Sequence, residues 1–280
     1  MKKKNYSISV IIPTFNRKWS IDRAINSVIN QTLSPQEIII IDNGSTDGTS
    51  NYLKQKFPNL KILYETKKGV SCARNRGIIE AKSFWIAFLD SDDEWLPKKL
   101  ENQMIAYKNN SYDFSLIHCD EYWIKNEKYI NPKNKHIKKG GFIFFKCIDL
   151  CCISPSSVLI KKSKLIEAGL FDNKLKACED YDLWLRVCLS DPVLYLDEKL
   201  LNKYGGHEDQ LSKKYWGMDR FRIYSLEKIL YNYNLDDQKR NIIKEKLKEK
   251  LSILINGARK RNNNQIISKY EKKLFSLRYE

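Results

Sequence analysis

Four short apolar runs alternate with helix-period segments over the first ninety residues. This alternation constrains the fold more than anything else in the chain. "SISVIIP" (residues 7–13) is β-branched and apolar, the composition of a strand buried on both faces. Ile21, Ala24, Ile25, Val28 and Ile29 then recur on one helical face. "EIIIID" (residues 37–42) is a second buried strand, "KILY" (residues 61–64) a third and "WIAFLD" (residues 85–90) a fourth. Helices are expected near residues 50–56 and over residues 71–82. Strands and helices of these lengths predict an α/β fold, a mostly parallel sheet of βαβ units flanked by helices. Its ligand crevice should lie at the carboxyl ends of the strands.

Three of those strands end in polar clusters: "PTFNR" (residues 13–17), "DNGSTD" (residues 42–47) and "DSDD" (residues 90–93). Any one of them could be turn chemistry, because Asn, Asp, Ser and Gly favour turns. In a parallel sheet all three open onto one edge, which argues for a site. "PTFNR" occupies the place of a dinucleotide-binding GxGxxG, and the chain contains no Gly-Lys-Ser/Thr phosphate loop, so those two solutions are excluded. Carboxylates crowded at a strand end repel one another and are costly to desolvate. A divalent cation, Mg²⁺ or Mn²⁺, would justify "DSDD" by taking hard oxygen ligands and bridging a diphosphate. Asp93 and Glu94 also suit the first turn of a helix opened by Pro97.

The 280 residues are 42% hydrophobic and 12% aromatic, enough for one large domain or a domain with an appendage. The apolar run near the start is stopped by Pro13, too short for a signal sequence, and no run reaches membrane-spanning length. A cytoplasmic protein, peripheral on a membrane at most, is expected. Seven scattered cysteines without a CxxC pair read as apolar fillers in a reducing compartment. The net charge of +16 suits an anionic partner. A nucleic-acid-binding protein would interleave aromatics with Lys and Arg or carry a helix-turn-helix, and neither is present.

The second half is less regular. Residues 125–139 read as a surface loop or hairpin, "SSVLI" as a strand and "CEDYDLWLRVCL" as a helix. From residue 207 onward there are 18 Lys and Arg against 10 Asp and Glu. There Ile242, Ile243, Leu247, Leu251, Leu254 and Ile255 form an apolar stripe opposite lysines. Packing of this stripe on the preceding domain is the expectation, with an anionic membrane surface as its competitor.

Taken together and in order, "SVIIPTFNR", "IIIIDNGSTDGT", "GVSCARNRG", "FLDSDDEWLP" and "EDYDLWLR" resemble the family 2 glycosyltransferases with the GT-A fold. The resemblance covers about two-thirds of the chain. It implies a catalytic domain over residues 1–206, with a nucleotide-binding half (1–110) and an acceptor-binding half (111–206), followed by a basic helical extension (207–280). It implies inverting transfer from a nucleotide diphosphate sugar, most often UDP-linked, to a hydroxyl of a glycan or lipid-linked glycan, with Mn²⁺ or Mg²⁺. The setting implied is bacterial surface-glycan assembly.

Residue by residue, the resemblance puts Pro13, Thr14, Phe15 and Arg17 around the nucleobase and ribose, with Asp42 accepting from the base. Asn43 stands where many relatives carry a second Asp. Arg74 and Asn75 would face the nucleotide or support the aspartates. Asp90 and Ser91 would approach the ribose, and Asp92 would bind the metal, with His207 as a second ligand or a surface histidine. Asp180 would be the general base, with Glu179 orienting it. Trp123, Trp216 and Cys178 are expected to serve packing. A nucleotidylyltransferase would want a glycine- and lysine-rich loop that is missing; a non-catalytic relative would not need intact "DSDD" and "ED".

Overall fold

The computed structural model describes residues 6–207 and 214–279. The first half follows the predicted alternation: β1 (Ile8–Thr14), α1 (Ile21–Ile29), β2 (Glu37–Asp42), α2 (Thr49–Lys56), β3 (Lys61–Tyr64), α3 (Val70–Glu80) and β4 (Trp85–Phe88). Then come β5 (Glu94–Trp95), α4 (Lys99–Lys108), β6 (Leu116–Lys125), β7 (Lys128–Ile130), α5 (Phe144–Asp149), β8 (Leu159–Lys161), α6 (Lys162–Glu167), α7 (Glu179–Cys188) and β9 (Leu194–Gly205). Three helices follow, here α8 (Asp219–Asn232), α9 (Asp237–Arg259) and α10 (Asn264–Tyr279).

The strands form one sheet in the order β3-β2-β1-β4-β8-β6-β9-β5, with β7 hanging on β6. β1, β2, β3 and β4 are parallel, as their apolar runs predict. From β4 onward the pairings are antiparallel except for β6 with β9, so the sheet is mixed rather than uniformly parallel. Residues 125–139 contain the turn into β7, a hairpin on β6.

Side chains alternate across β1, so Val10 and Ile12 pack with Ile25, Val28, Trp85 and Leu100 on one face. Ile11 joins Ile39, Phe88, Tyr181 and Trp184 on the other. Helix α3 lies so close to β1 that a Cβ on Gly77 would sit 2.5 Å from Cγ2 of Ile11. The last glycine of "GVSCARNRG" is therefore a packing requirement. The C-terminal stripe belongs to this second face: Ile243, Leu247, Leu251, Leu254 and Ile255 are buried in it with Ile223 and Leu226 of α8. Burying each such side chain is worth about 1.5–3 kcal/mol, so the helices are fastened to the sheet. Among the described residues no helix is long and apolar enough to cross a membrane.

Candidate active site

The parallel register sets Thr14 beside Asp42, so the polar ends of β1 and β2 meet. Asp42 closes a tight turn: its Oδ1 accepts from the Ser45 amide at 3.0 Å and the Ser45 hydroxyl at 2.6 Å. Asp42 is 1% exposed, yet its Oδ2 and the neighbouring Thr14 Oγ1 have no hydrogen-bond partner among the described residues. Buried acceptors without donors are costly, and this pair opens beside the exposed ring of Phe15. Lys68 lies 5.0 Å over that ring and donates to the Gly44 carbonyl at 3.1 Å. The arrangement fits a planar heterocycle that donates to Asp42.

Asn43 does something different. Its Nδ2 donates to the carbonyls of Glu65 (3.0 Å) and Lys67 (2.8 Å), and its Oδ1 accepts from the Gly69 amide at 2.7 Å. An amide matches two carbonyls and an N–H, whereas a carboxylate would meet the carbonyls as a repelled acceptor. Asparagine here holds the loop leading into α3. Asn75 is likewise occupied, bonded to both backbone groups of Phe171 and to Asn173.

Arg74 is the central cation. Its guanidinium donates to Asp90 at 2.6 Å and to Glu179 at 2.7 Å, tying "DSDD" to "ED". Burial, reinforced by Asp180, raises Glu179 above the ordinary carboxylate range although Arg74 pulls it down. Asp180, the second residue of α7, remains partly open. Its Oδ1 accepts from the Tyr181 amide at 2.7 Å, and the Cys151 thiol lies 3.3 Å from its Oδ2. Cys178, just before this pair, holds a left-handed φ of 60°, which an L side chain seldom adopts. It caps α7 and packs on the second core face.

The "DSDD" acids divide their roles. Burial opposes ionisation of Asp92, but the bond from His207 and the charge of Arg17 hold its pKa below the usual range. His207 Nε2 is 2.8 Å from Asp92 Oδ2, and Arg17 Nε is 3.9 Å from the same oxygen. Asp93 goes the other way: burial, then Asp92 and Asp90, push it well above the usual range. It bonds Ser156 Oγ at 2.6 Å and the Tyr204 amide at 3.0 Å. Asp93 is thus a buried tie that accepts from Ser156 and from β9, not a helix-end acid, and α4 starts only at Lys99. Part of the relief expected from a cation comes from Arg74 on Asp90. Ser91 is buried, and its carbonyl accepts from Ser20 at 3.0 Å.

Among the described residues no three His, Cys, Asp or Glu side chains gather to hold a metal. Asp92 and His207 offer two converging ligands, which suits an ion that takes its remaining ligands from a diphosphate and water. The imidazole favours Mn²⁺ over Mg²⁺. Several residues that shape the site carry no sequence signal, because they lie in segments without a recognisable pattern: Cys151, Ser156, Glu121 and Lys203. Trp123 donates to Glu121 at 2.8 Å, and Trp216 is half exposed with Arg220 4.2 Å over its ring.

The glycosyl transferase family 2 model matches residues 9–169. An uncharacterised glycosyltransferase of Rickettsia conorii is 35% identical over 69% of this chain, which spans about a third (32%) of that relative's length. The Escherichia coli UDP-Glc:alpha-D-GlcNAc-diphosphoundecaprenol beta-1,3-glucosyltransferase WfgD is 31% identical over 65% of this chain and 70% of its own. Staphylococcus aureus TarS 1–349 in complex with UDP-GlcNAc superposes with a TM-score of 0.69 at 20% identity, covering 88% of this chain and 71% of that one. The Pyrobaculum calidifontis mannosyltransferase PcManGT with GDP-Man and Mn²⁺ gives a TM-score of 0.63 at 14% identity, covering 99% and 88%. These neighbours share the GT-A architecture, and the chain belongs to glycosyl transferase family 2.

Proposed function

We propose that the protein transfers a sugar from a UDP-sugar to a hydroxyl of a lipid-linked glycan, with inversion, in surface-glycan assembly at the cytoplasmic face of a membrane. The observation that carries this reading is the division within "ED". Glu179 is buried and locked to Arg74, whereas Asp180 stays partly open at the start of α7. Asp180 takes the proton of the acceptor hydroxyl as that oxygen bonds to the anomeric carbon and the bond to the donor phosphate breaks. The nucleoside diphosphate departs with the bonding electrons. Glu179 and Arg74 position Asp180 and Asp90, while Thr14, Phe15 and Asp42 bind the base. When bound, Mn²⁺ on Asp92 and His207 would offset charge on the leaving diphosphate.

UDP is favoured by the buried acceptor on Asp42 and by the UDP-dependent relative WfgD, and a lipid diphosphate acceptor by that relative's substrate. The test begins with UDP-, GDP- and dTDP-sugars, with and without Mn²⁺. Asp180→Asn should then bind UDP as the parent does and lose transfer by roughly 10²- to 10⁴-fold. Near-parental transfer by that variant would move the base to another residue. Absence of transfer by the parent with every donor, despite UDP binding, would indicate a non-catalytic binding protein.

A further inference from the structure

Lys203 is a cation at the edge of this site that the transfer scheme leaves without a task. It sits on β9 between Asn202 and Tyr204, whose side chains both bond Glu94, at 2.9 and 3.0 Å. Strand alternation sends Lys203 to the opposite face, where its register partner is Trp123 and its Nζ lies 3.9 Å from Glu121 Oε1. The next amide, that of Tyr204, donates to Asp93 at 3.0 Å, so this strand borders the acidic cluster.

Glu121 does not need a second cation. Lys138 donates to its Oε2 at 2.7 Å, Ser154 bonds the same oxygen, and Trp123 Nε1 donates to Oε1 at 2.8 Å. The other cations nearby are engaged: Arg74 by Asp90 and Glu179, and Arg23 by the Asp92 carbonyl at 2.5 Å and the Tyr204 ring. Among the described residues Lys203 Nζ makes no hydrogen bond, and its side chain is 36% exposed. Burial opposes its charge, but Glu121, Asp93, Asp180 and Asp90 together hold the ammonium above the ordinary lysine range. An ammonium that makes no hydrogen bond among the described residues, with Glu121 3.9 Å away, therefore stands on the strand that borders the acidic cluster.

We infer that Lys203 binds a phosphate oxygen of a diphosphate at the transfer site. An ammonium serves this task as a compact point charge. The inference rests on the transferase reading, which brings two diphosphates to this cleft: that of the nucleotide donor and that of a lipid-linked acceptor. A purely structural lysine would affect all ligands alike, so the comparison must be between ligands with and without the diphosphate.

The experiment uses the full chain with Lys203→Met, which keeps the stem and removes the charge, and Lys203→Arg, which restores it. Lys203→Gln replaces the first variant if it fails to fold. Dissociation constants are measured with Mn²⁺ for UDP against uridine, and for octyl diphospho-N-acetylglucosamine against octyl N-acetylglucosaminide. The neutral variant should weaken one diphosphate at least tenfold and leave its phosphate-free counterpart within twofold, with Arg recovering most of the loss. Loss confined to UDP assigns the donor, and loss confined to the octyl diphosphate assigns the acceptor. Unchanged binding of both diphosphates, or equal weakening within each pair, overturns the inference. Because the readout is binding, a parent protein that binds these ligands but transfers nothing would refute the transferase reading while leaving this one decided.

Discussion

Arg74 and Glu179 are 105 residues apart in sequence, and their side chains meet at 2.7 Å with both buried. The same guanidinium holds Asp90, so one arginine joins the last helix of the catalytic motif set to the end of β4. Breaking a buried pair by removing one partner costs roughly 3–5 kcal/mol, because the other charge is left uncompensated. Arg74→Met should lower the unfolding free energy by that order, seen as a lower denaturant midpoint at an unchanged slope. Arg74→Lys should recover only part, since a lysine cannot address two carboxylates in fork geometry. Equilibrium urea unfolding checks both.

Asp42 presents a buried Oδ2 without a donor. Asp42→Asn keeps an oxygen for the Ser45 turn but can place an N–H where the heterocycle donates. UDP affinity should fall about tenfold to a hundredfold, consistent with the 1.5–3 kcal/mol of a hydrogen bond to a charged group. Calorimetric titration of UDP decides it; an unchanged dissociation constant would remove Asp42 from base recognition.

Asn43→Asp is expected to destabilise the protein. A carboxylate would face the Glu65 and Lys67 carbonyls and lose two donated bonds. The cost should be about 1–3 kcal/mol, read as a lower melting temperature. A stabilised variant would refute the amide-specific role.

Asp92 and His207 stand 2.8 Å apart, and an ion held by this pair and by the donor diphosphate would make donor and metal binding interdependent. UDP should raise the melting temperature strongly with Mn²⁺, less with Mg²⁺ and least with a chelator, by linkage. In Asp92→Ala and His207→Ala the Mn²⁺ increment should largely vanish. Equal stabilisation of the parent with and without chelator would exclude the metal.

Glu121 carries a pH signature. Burial opposes its ionisation, but Lys138, Lys203 and Ser154 depress its pKa far below the ordinary 4.5. A depressed folded-state pKa contributes stability that is present above 4.5 and is lost as pH falls towards the folded value. Glu121→Gln should therefore cost most at neutral pH and progressively less below 4.5, seen in melting temperatures from pH 7 to 3. A penalty that does not shrink with acidification would mean that Glu121 contributes packing alone.

The sequence by itself determined the first four strands and the helices between them. Uninterrupted β-branched runs such as "EIIIID" are stable only between two apolar layers, and the one-face pattern of Ile21, Ala24, Ile25 and Val28 supplies one of those layers. Parallel pairing then forces Thr14, Asp42 and Asp90 onto a common edge, so the clustering of the site was legible from strand ends. The C-terminal stripe was legible in the same way. Strand β9 was not, because "LYLDEKLLNKYG" places charges along an exposed face and its pairing with β6 joins distant residues.

Only tertiary structure decided how the charges are distributed. "DSDD" reads as equivalent carboxylates, yet Asp93 is buried and accepts from Ser156 and Tyr204, while Arg74 takes Asp90 and His207 reaches Asp92. Asn43 and Asn75 read as binding residues, yet the loops packed around them use their amides. Local sequence fixes which groups stand at a strand end. Whether each is charged, neutral or already bonded depends on desolvation and on partners about a hundred residues away, which only the completed fold supplies.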